Sequence, residues 1–174
     1  MKTKRLVIYG LLIAMHVVLC FLTIDLGNQH ITLSGFPIII AGALYGPLGG
    51  LEVGLLGSFV NQMISYGISV TTILWILPAG LRGLMVGWYA KKHDYQLTGK
   101  KLTFILILSA FCVTTLNTVV MYLDAKIYGY YTFAYVFGSL VSRYLTAIVV
   151  NIVYVLLTEP ILARIKPIKD REGW

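Results

Sequence analysis

Between Ile31 and Ala90 the chain carries only two charged side chains, Glu52 and Arg82. A soluble domain does not hide so long an apolar run, whereas a bilayer core accepts about 20 such residues per crossing. Inside that core every backbone polar group must be paired, which selects helices for segments of this length. Comparable runs fill 6–24, 102–123 and 137–162. The residue balance agrees: 58% are hydrophobic and 12% charged, against roughly half and a quarter in soluble domains.

Turn signals at Gly46-Pro47 and around Tyr66-Gly67 divide the long run into three. The expectation is one all-α, polytopic membrane domain over 1–174 with six transmembrane helices: 6–24, 34–45, 47–65, 70–90, 102–123 and 137–162. The second is shorter than a crossing and on its own reads equally as a re-entrant segment. Charge parity favours a crossing. Lys91, Lys92 and His93 with Lys100 and Lys101 flank a polar loop that belongs on the same side as Lys2, Lys4 and Arg5. Both ends are then inside, with 163–174 as a cytoplasmic tail. Of 14 Lys and Arg, 11 fall on that side; Arg82, Lys126 and Arg143 are the exceptions. The first segment is full length, lacks a small-residue cleavage site and ends in Asp25, so it reads as a span rather than a signal peptide.

The net charge of +7 does not point to nucleic acid, because the basic residues sit in short runs between apolar segments. Cys20 and Cys112 lie inside apolar segments without ligand spacing and read as packing residues. No phosphate-binding glycine loop, metal-ligand cluster or nucleophile arrangement occurs. The chain is expected not to be an enzyme, not to hydrolyse ATP, and to need no metal or cofactor.

Polar residues inside the spans are expensive and read as functional first. On this topology Asn61, Gln62 and Ser65 lie near the outer end of the third span, and Trp75 starts the fourth at a similar level. Thr114, Asn117 and Asp124 share one face of the fifth, by their spacing of three and seven. Ser139 and Arg143 stand in the outer third of the sixth, with Asn151 deeper. Loop residues Asn28, Gln29, His30, Tyr128, Tyr130, Tyr131 and Tyr135 join them. The predicted site is a pocket opening outward: Arg143 for a carboxylate or phosphate, Asn117, Asn61, Gln62 and Thr114 for orientation, Trp75 and Tyr131 for a flat ligand body. An interfacial aromatic belt accounts for the tyrosines equally well. Glu52 and Arg82 are predicted to pair with each other, and His16 to make a hydrogen-bonded helix contact. Gly50, Gly54 and Ser58, and Gly80, Gly83 and Gly87, form small-residue stripes for close helix packing. Gly10 and Ala14 put a similar patch on the first helix, free to pack inside or to dock a partner subunit.

The chain resembles the substrate-binding S components of energy-coupling factor (ECF) vitamin transporters over roughly its whole length. The resemblance is carried by the size and six spans, by Gly10-x-x-x-Ala14, by Phe36-Pro37 through Tyr45-Gly46-Pro47-Leu48-Gly49-Gly50, by Leu116-Asn117-Thr118 and by Arg143. The 37–50 block and the Asn117/Arg143 pair look most like the folate-type group. Where that group usually carries an acid, this chain has Gly57-Ser58-Phe59-Val60-Asn61-Gln62, which leaves the ligand open between a folate and another cofactor precursor. The resemblance implies a multi-pass protein of the bacterial cytoplasmic membrane that captures a vitamin or precursor from outside. It implies partnership with a transmembrane coupling subunit, contacted through Gly10 and Ala14, and with two cytoplasmic ATPase subunits. The competing expectations are a small membrane scaffold or assembly protein, whose polar groups only join helices, and a stand-alone carrier.

Overall fold

The computed structural model describes residues 2–25 and 30–172. Its elements are α1 (Lys2–Phe21), β1 (Thr23–Asp25), β2 (His30–Thr32), α2 (Gly35–Tyr66), α3 (Thr72–Lys92), α4 (Gly99–Ile127), α5 (Phe133–Phe137) and α6 (Leu140–Glu172). Five of the helical segments are long and apolar enough to cross a membrane. The strands are an addition to the all-helical expectation. They pair antiparallel, with Thr23 opposite Thr32 and Ile24 opposite Ile31. Asn28 and Gln29 lie outside the described residues, as does the side chain of His30. The last helix also overruns its expected end, continuing to Glu172 where a tail was expected from 163.

α2 is two arms. Gly46 takes φ +81° and Pro47 follows it, a pairing that reverses the chain because glycine tolerates positive φ and proline starts a helix without needing its N–H. A Cβ placed on Gly50 would come within 2.9 Å of the Gly42 Cα. Eight residues along one straight helix would separate those positions by about 12 Å. The arms, 35–45 and 47–66, therefore fold back on each other at the predicted turn. The first arm is buried from Gly35 to Leu44 except for Phe36, as an arm apolar all round must be.

α3 lies antiparallel along the second arm through a glycine seam. A Cβ on Gly54 would meet the Ala79 carbonyl oxygen at 2.5 Å; one on Gly50 would strike Gly83, and one on Gly87 would strike Gly46. α1 covers the other side and runs with the second arm, Tyr9 at Gly49 and His16 at Gly57. Ile38, Ile39, Ala41, Val53, Val86, Leu102 and Leu106 fill the space between α2, α3 and α4. α4 and α6 form an antiparallel pair, Arg143 beside Met121 at one end and Glu159 accepting the Gly99 N–H at 2.9 Å at the other.

Candidate functional site

The α4–α6 end that carries Arg143 collects part of the predicted set. Arg143 is half-buried, and its Nη1 lies 3.5 Å from the Met121 sulfur. Asn117 sits one turn before Met121 on the same face of α4 and is half-buried. Thr114, one further step along that face, is buried, and its carbonyl accepts the Thr118 hydroxyl at 2.9 Å. The same pair is tied by Tyr144, whose hydroxyl meets that of Thr115 at 2.8 Å.

Asp124 belongs to a separate group. It is 7% exposed and accepts the Trp75 indole N–H at 3.1 Å on one oxygen and the Tyr130 hydroxyl on the other. The carboxylate beside it pushes the Tyr130 phenol well above its ordinary range. Trp75 is thus anchored by its N–H, with its ring half-buried. Tyr131 packs edge-on against Tyr122 at 5.3 Å, and Lys126 Nζ stands 4.5 Å over the Tyr131 ring, a favourable cation–π placement. Asn61 and Gln62 are half-buried near the end of α2, where Asn61 Oδ1 accepts the Ser65 hydroxyl at 3.4 Å. Among the described residues no hydrogen bond joins these two amides to the Arg143 group.

A polar node deeper in the bundle was missed by the sequence reading. With its proton on Nδ1, His16 donates to the Ser34 carbonyl at 2.7 Å, while Nε2 faces the Ser58 hydroxyl at 3.4 Å and the Cys20 sulfur at 3.6 Å. The helix contact expected of His16 is therefore present. The Tyr154 hydroxyl accepts the Gly35 N–H at 3.1 Å and donates to the Thr32 carbonyl at 3.1 Å. The connection from β2 into α2 is thereby pinned between α1 and α6. Arg82 completes the node, its guanidinium 5.5 Å from the Tyr154 ring centre. The predicted Arg82–Glu52 pair does not form: Glu52 is exposed on α2, and Arg82 reaches instead to Gly35, where a Cβ would collide with its Nη1. Arg82 was expected to pair with Glu52 and Tyr154 was not singled out, and hydropathy holds no sign that the start of α2 lies between them.

Elsewhere, a cleft of about 160 Å³ between α4 and α6 is lined by Thr103, Ile107, Asn151, Ile152, Val155 and Leu156. Asn151 Nδ2 donates to the Ala147 carbonyl at 2.6 Å, and its buried Oδ1 has no hydrogen-bond partner among the described residues. On α1, Gly10 and Ala14 are exposed together with Leu6, Val7, Leu11 and Val18. Among the described residues nothing lies within 4 Å of a Cβ built on Gly10. No group of three or more metal-ligating side chains occurs among the described residues.

Comparison with known proteins adds four matches. The family model described as "ECF-type riboflavin transporter, S component" matches residues 1–163. A UPF0397 protein of Streptococcus agalactiae is 32% identical over 99 residues, 55% of this chain and 53% of that protein. One from Leuconostoc citreum is 36% identical over 109 residues, 58% and 56% of the two. The chain thus spans about half the length of these curated relatives. A solved S component of a bacterial ECF transporter superposes with a TM-score of 0.70 over 95% of this chain and 99% of that one, at 21% identity. That likeness establishes a shared fold.

Proposed function

The chain belongs to the family of ECF-type riboflavin transporter S components, and from that premise we propose that it captures a flavin or related cofactor precursor outside the cell for an ATP-driven importer. The family is one of transporter components, not of enzymes. It names riboflavin, so the folate-type placement gains no support from it. The proposal keeps six crossings with both ends inside, the two arms of α2 counting as two, in a bacterial cytoplasmic membrane. Parallel α1 and second arm, with α3 antiparallel to both, agree with that order. The energising partners are a transmembrane coupling subunit and two cytoplasmic ATPase subunits.

One observation carries the location of capture. Arg143 is half-buried in an apolar helix, and no described carboxylate lies within ion-pair distance of it. The nearest acid on α4, Asp124, is already held by Trp75 and Tyr130. A cation inside a bundle with no counter-charge is costly by a few kcal/mol, which a ligand's own negative or carbonyl groups offset. Arg143 is the principal contact in this reading. Asn117 and Thr114 orient the ligand, Asn61 and Gln62 close it from α2, and Trp75 and Tyr131 offer ring faces.

Calorimetric titration of the detergent-purified protein with riboflavin, flavin mononucleotide and folate tests this. Arg143→Ala should weaken the probe that binds best by at least about tenfold, or about 1.4 kcal/mol, with the melting temperature of the empty protein unchanged. Equal affinity in the variant removes Arg143 from the site. A folded wild type that binds none of the probes leaves the scaffold reading in its place.

A further inference from the structure

α4 and α6 are not closed against each other along their whole length. At the Arg143 end side chains fill the seam: the Tyr144 hydroxyl meets that of Thr115 at 2.8 Å, and the Tyr144 ring packs on Phe111 with centroids 5.2 Å apart. Toward Gly99 the seam opens into the cleft of about 160 Å³, with Thr103 and Ile107 on one wall and Asn151, Ile152, Val155 and Leu156 on the other. Ile107, Ile152 and Leu156 are exposed at its edges, so in a membrane-spanning chain it faces acyl chains rather than water.

Two polar residues stand in these walls, yet the surface they give the cleft is hydrocarbon. The Thr103 hydroxyl turns back to the Gly99 carbonyl at 3.1 Å, and Asn151 Nδ2 to the Ala147 carbonyl at 2.6 Å. Asn151 Oδ1 is itself buried. What the walls offer is dispersion contact on two sides, which suits a flexible apolar chain.

The end of the cleft is basic. Lys100 precedes Thr103 by three residues and Ile107 by seven, so the three share one face of α4. Lys101 is beside it, and both lysines are exposed. Lys91 and Lys92, also exposed, close α3 before the same turn. Glu159 stands at the mouth, its Oε1 accepting the Gly99 N–H at 2.9 Å, and Asp94 lies in the turn. Four lysines against these two acids leave this end net positive. No described carboxylate lies within ion-pair distance of Lys100 or Lys101.

We infer that this cleft holds one acyl chain of an anionic phospholipid whose phosphate rests on Lys100 and Lys101. Each lysine near a membrane face raises affinity for anionic headgroups by about fivefold. The cleft adds a seat for the chain, which a basic rim alone lacks. Lys100 stands about 5 Å beyond Thr103 along α4, the order in which a lipid presents phosphate and then chain. Such a site requires the spans but not vitamin capture, and on the topology proposed above its lipid belongs to the inner leaflet. The lipid fills the seam at one end while Tyr144 fills it at the other.

Native mass spectrometry of the full-length detergent-purified protein tests this. The probes are phosphatidylglycerol, phosphatidylcholine of the same chains, and glycerol 3-phosphate as a headgroup without chains. Wild type should take up one phosphatidylglycerol at least about fivefold more tightly than phosphatidylcholine, and glycerol 3-phosphate should not displace it. Lys100→Gln combined with Lys101→Gln should bring the two lipids within about twofold of each other. Val155→Phe, which fills the cleft, should weaken both lipids and keep their ratio. The lysine substitutions lie on exposed surface and spare the fold, so they decide the matter if Val155→Phe does not fold. Equal affinity of wild type for both lipids, or a ratio unmoved by the lysine substitutions, overturns the inference. So does displacement by glycerol 3-phosphate, which would mean a headgroup site without a chain. Undiminished lipid affinity in a folded Val155→Phe overturns it as well. None of these outcomes is read from vitamin binding, so the capture reading stands or falls separately.

Discussion

Asp124 shows how one buried carboxylate can decide the state of a whole loop. It gathers the Trp75 indole from α3 and the Tyr130 hydroxyl from beyond the end of α4. Replacing it with alanine leaves two donors without this partner, at about 1–3 kcal/mol for the half-buried Trp75 N–H and less for Tyr130, which is exposed. Tyr130 allows a finer test. Its phenol is raised above 10.0 chiefly by its hydrogen bond to Asp124. Below the ordinary value both folded and unfolded chains keep the proton, and the contribution is complete. As pH climbs past 10 the unfolded chain loses its proton first, so this stabilisation declines. Thermal unfolding in detergent should show a wild-type midpoint that falls more steeply above pH 10 than that of Tyr130→Phe, which starts lower and slopes less. Parallel slopes would show that the bond does not hold in solution. At this scale the sequence was half legible. Arg143 announced itself as a charge in a span, and Trp75 and Asp124 fell at one depth. Arg82 was assigned to Glu52 because depth along a helix says nothing of the direction in which a long side chain reaches.

At the scale of elements, the glycine seam between α3 and the second arm of α2 sets how closely the bundle can pack. Gly83 faces the Gly50 backbone so closely that any Cβ must push main chain apart, and main chain has little room to give. Overpacking of this kind costs about 1–3 kcal/mol for a small addition. Gly83→Ala should therefore lower stability by about 2 kcal/mol or more in reversible SDS unfolding, and Gly10→Ala, facing open space, should change it by under about 0.5 kcal/mol. A silent Gly83→Ala would mean that the helices stand further apart than the seam implies. The stripes were legible in the sequence, because small residues at helical spacing have few other uses in a membrane. So was the turn at Gly46-Pro47, whose two residues each carry a backbone constraint. The β1–β2 hairpin was not, since three-residue strands leave no period to read. Nor was the burial of the β2–α2 connection, which is fixed by Tyr154 from 119 residues away.

For the whole molecule, the distribution of exposed apolar side chains separates what faces lipid from what is left for a partner. Lipid-facing surfaces elsewhere are large and branched, as at Val141, Leu145, Val149 and Leu156 on α6. The α1 surface differs in having Gly10 and Ala14 set among Leu6, Val7 and Leu11. Acyl chains gain nothing from such a notch, whereas another helix gains close backbone approach. Small residues in the α2–α3 seam are explained by packing within the chain; those of α1 are not, because no neighbour approaches Gly10. We propose that an external helix, that of the coupling subunit, occupies this notch. Gly10→Leu then separates two activities that a stability defect would affect together. The variant should keep its melting temperature and ligand affinity within measurement error. It should co-purify with co-expressed coupling and ATPase subunits at no more than about a tenth of the wild-type yield, the effect of losing about 1.4 kcal/mol of association at limiting partner. Vitamin uptake by cells relying on this chain should fall in proportion. Undiminished assembly with Gly10→Leu would assign the notch to lipid and move the docking face to another helix. Loss of ligand affinity together with assembly would mean that α1 supports the node around His16 and the partner at once, coupling capture to docking through a single helix.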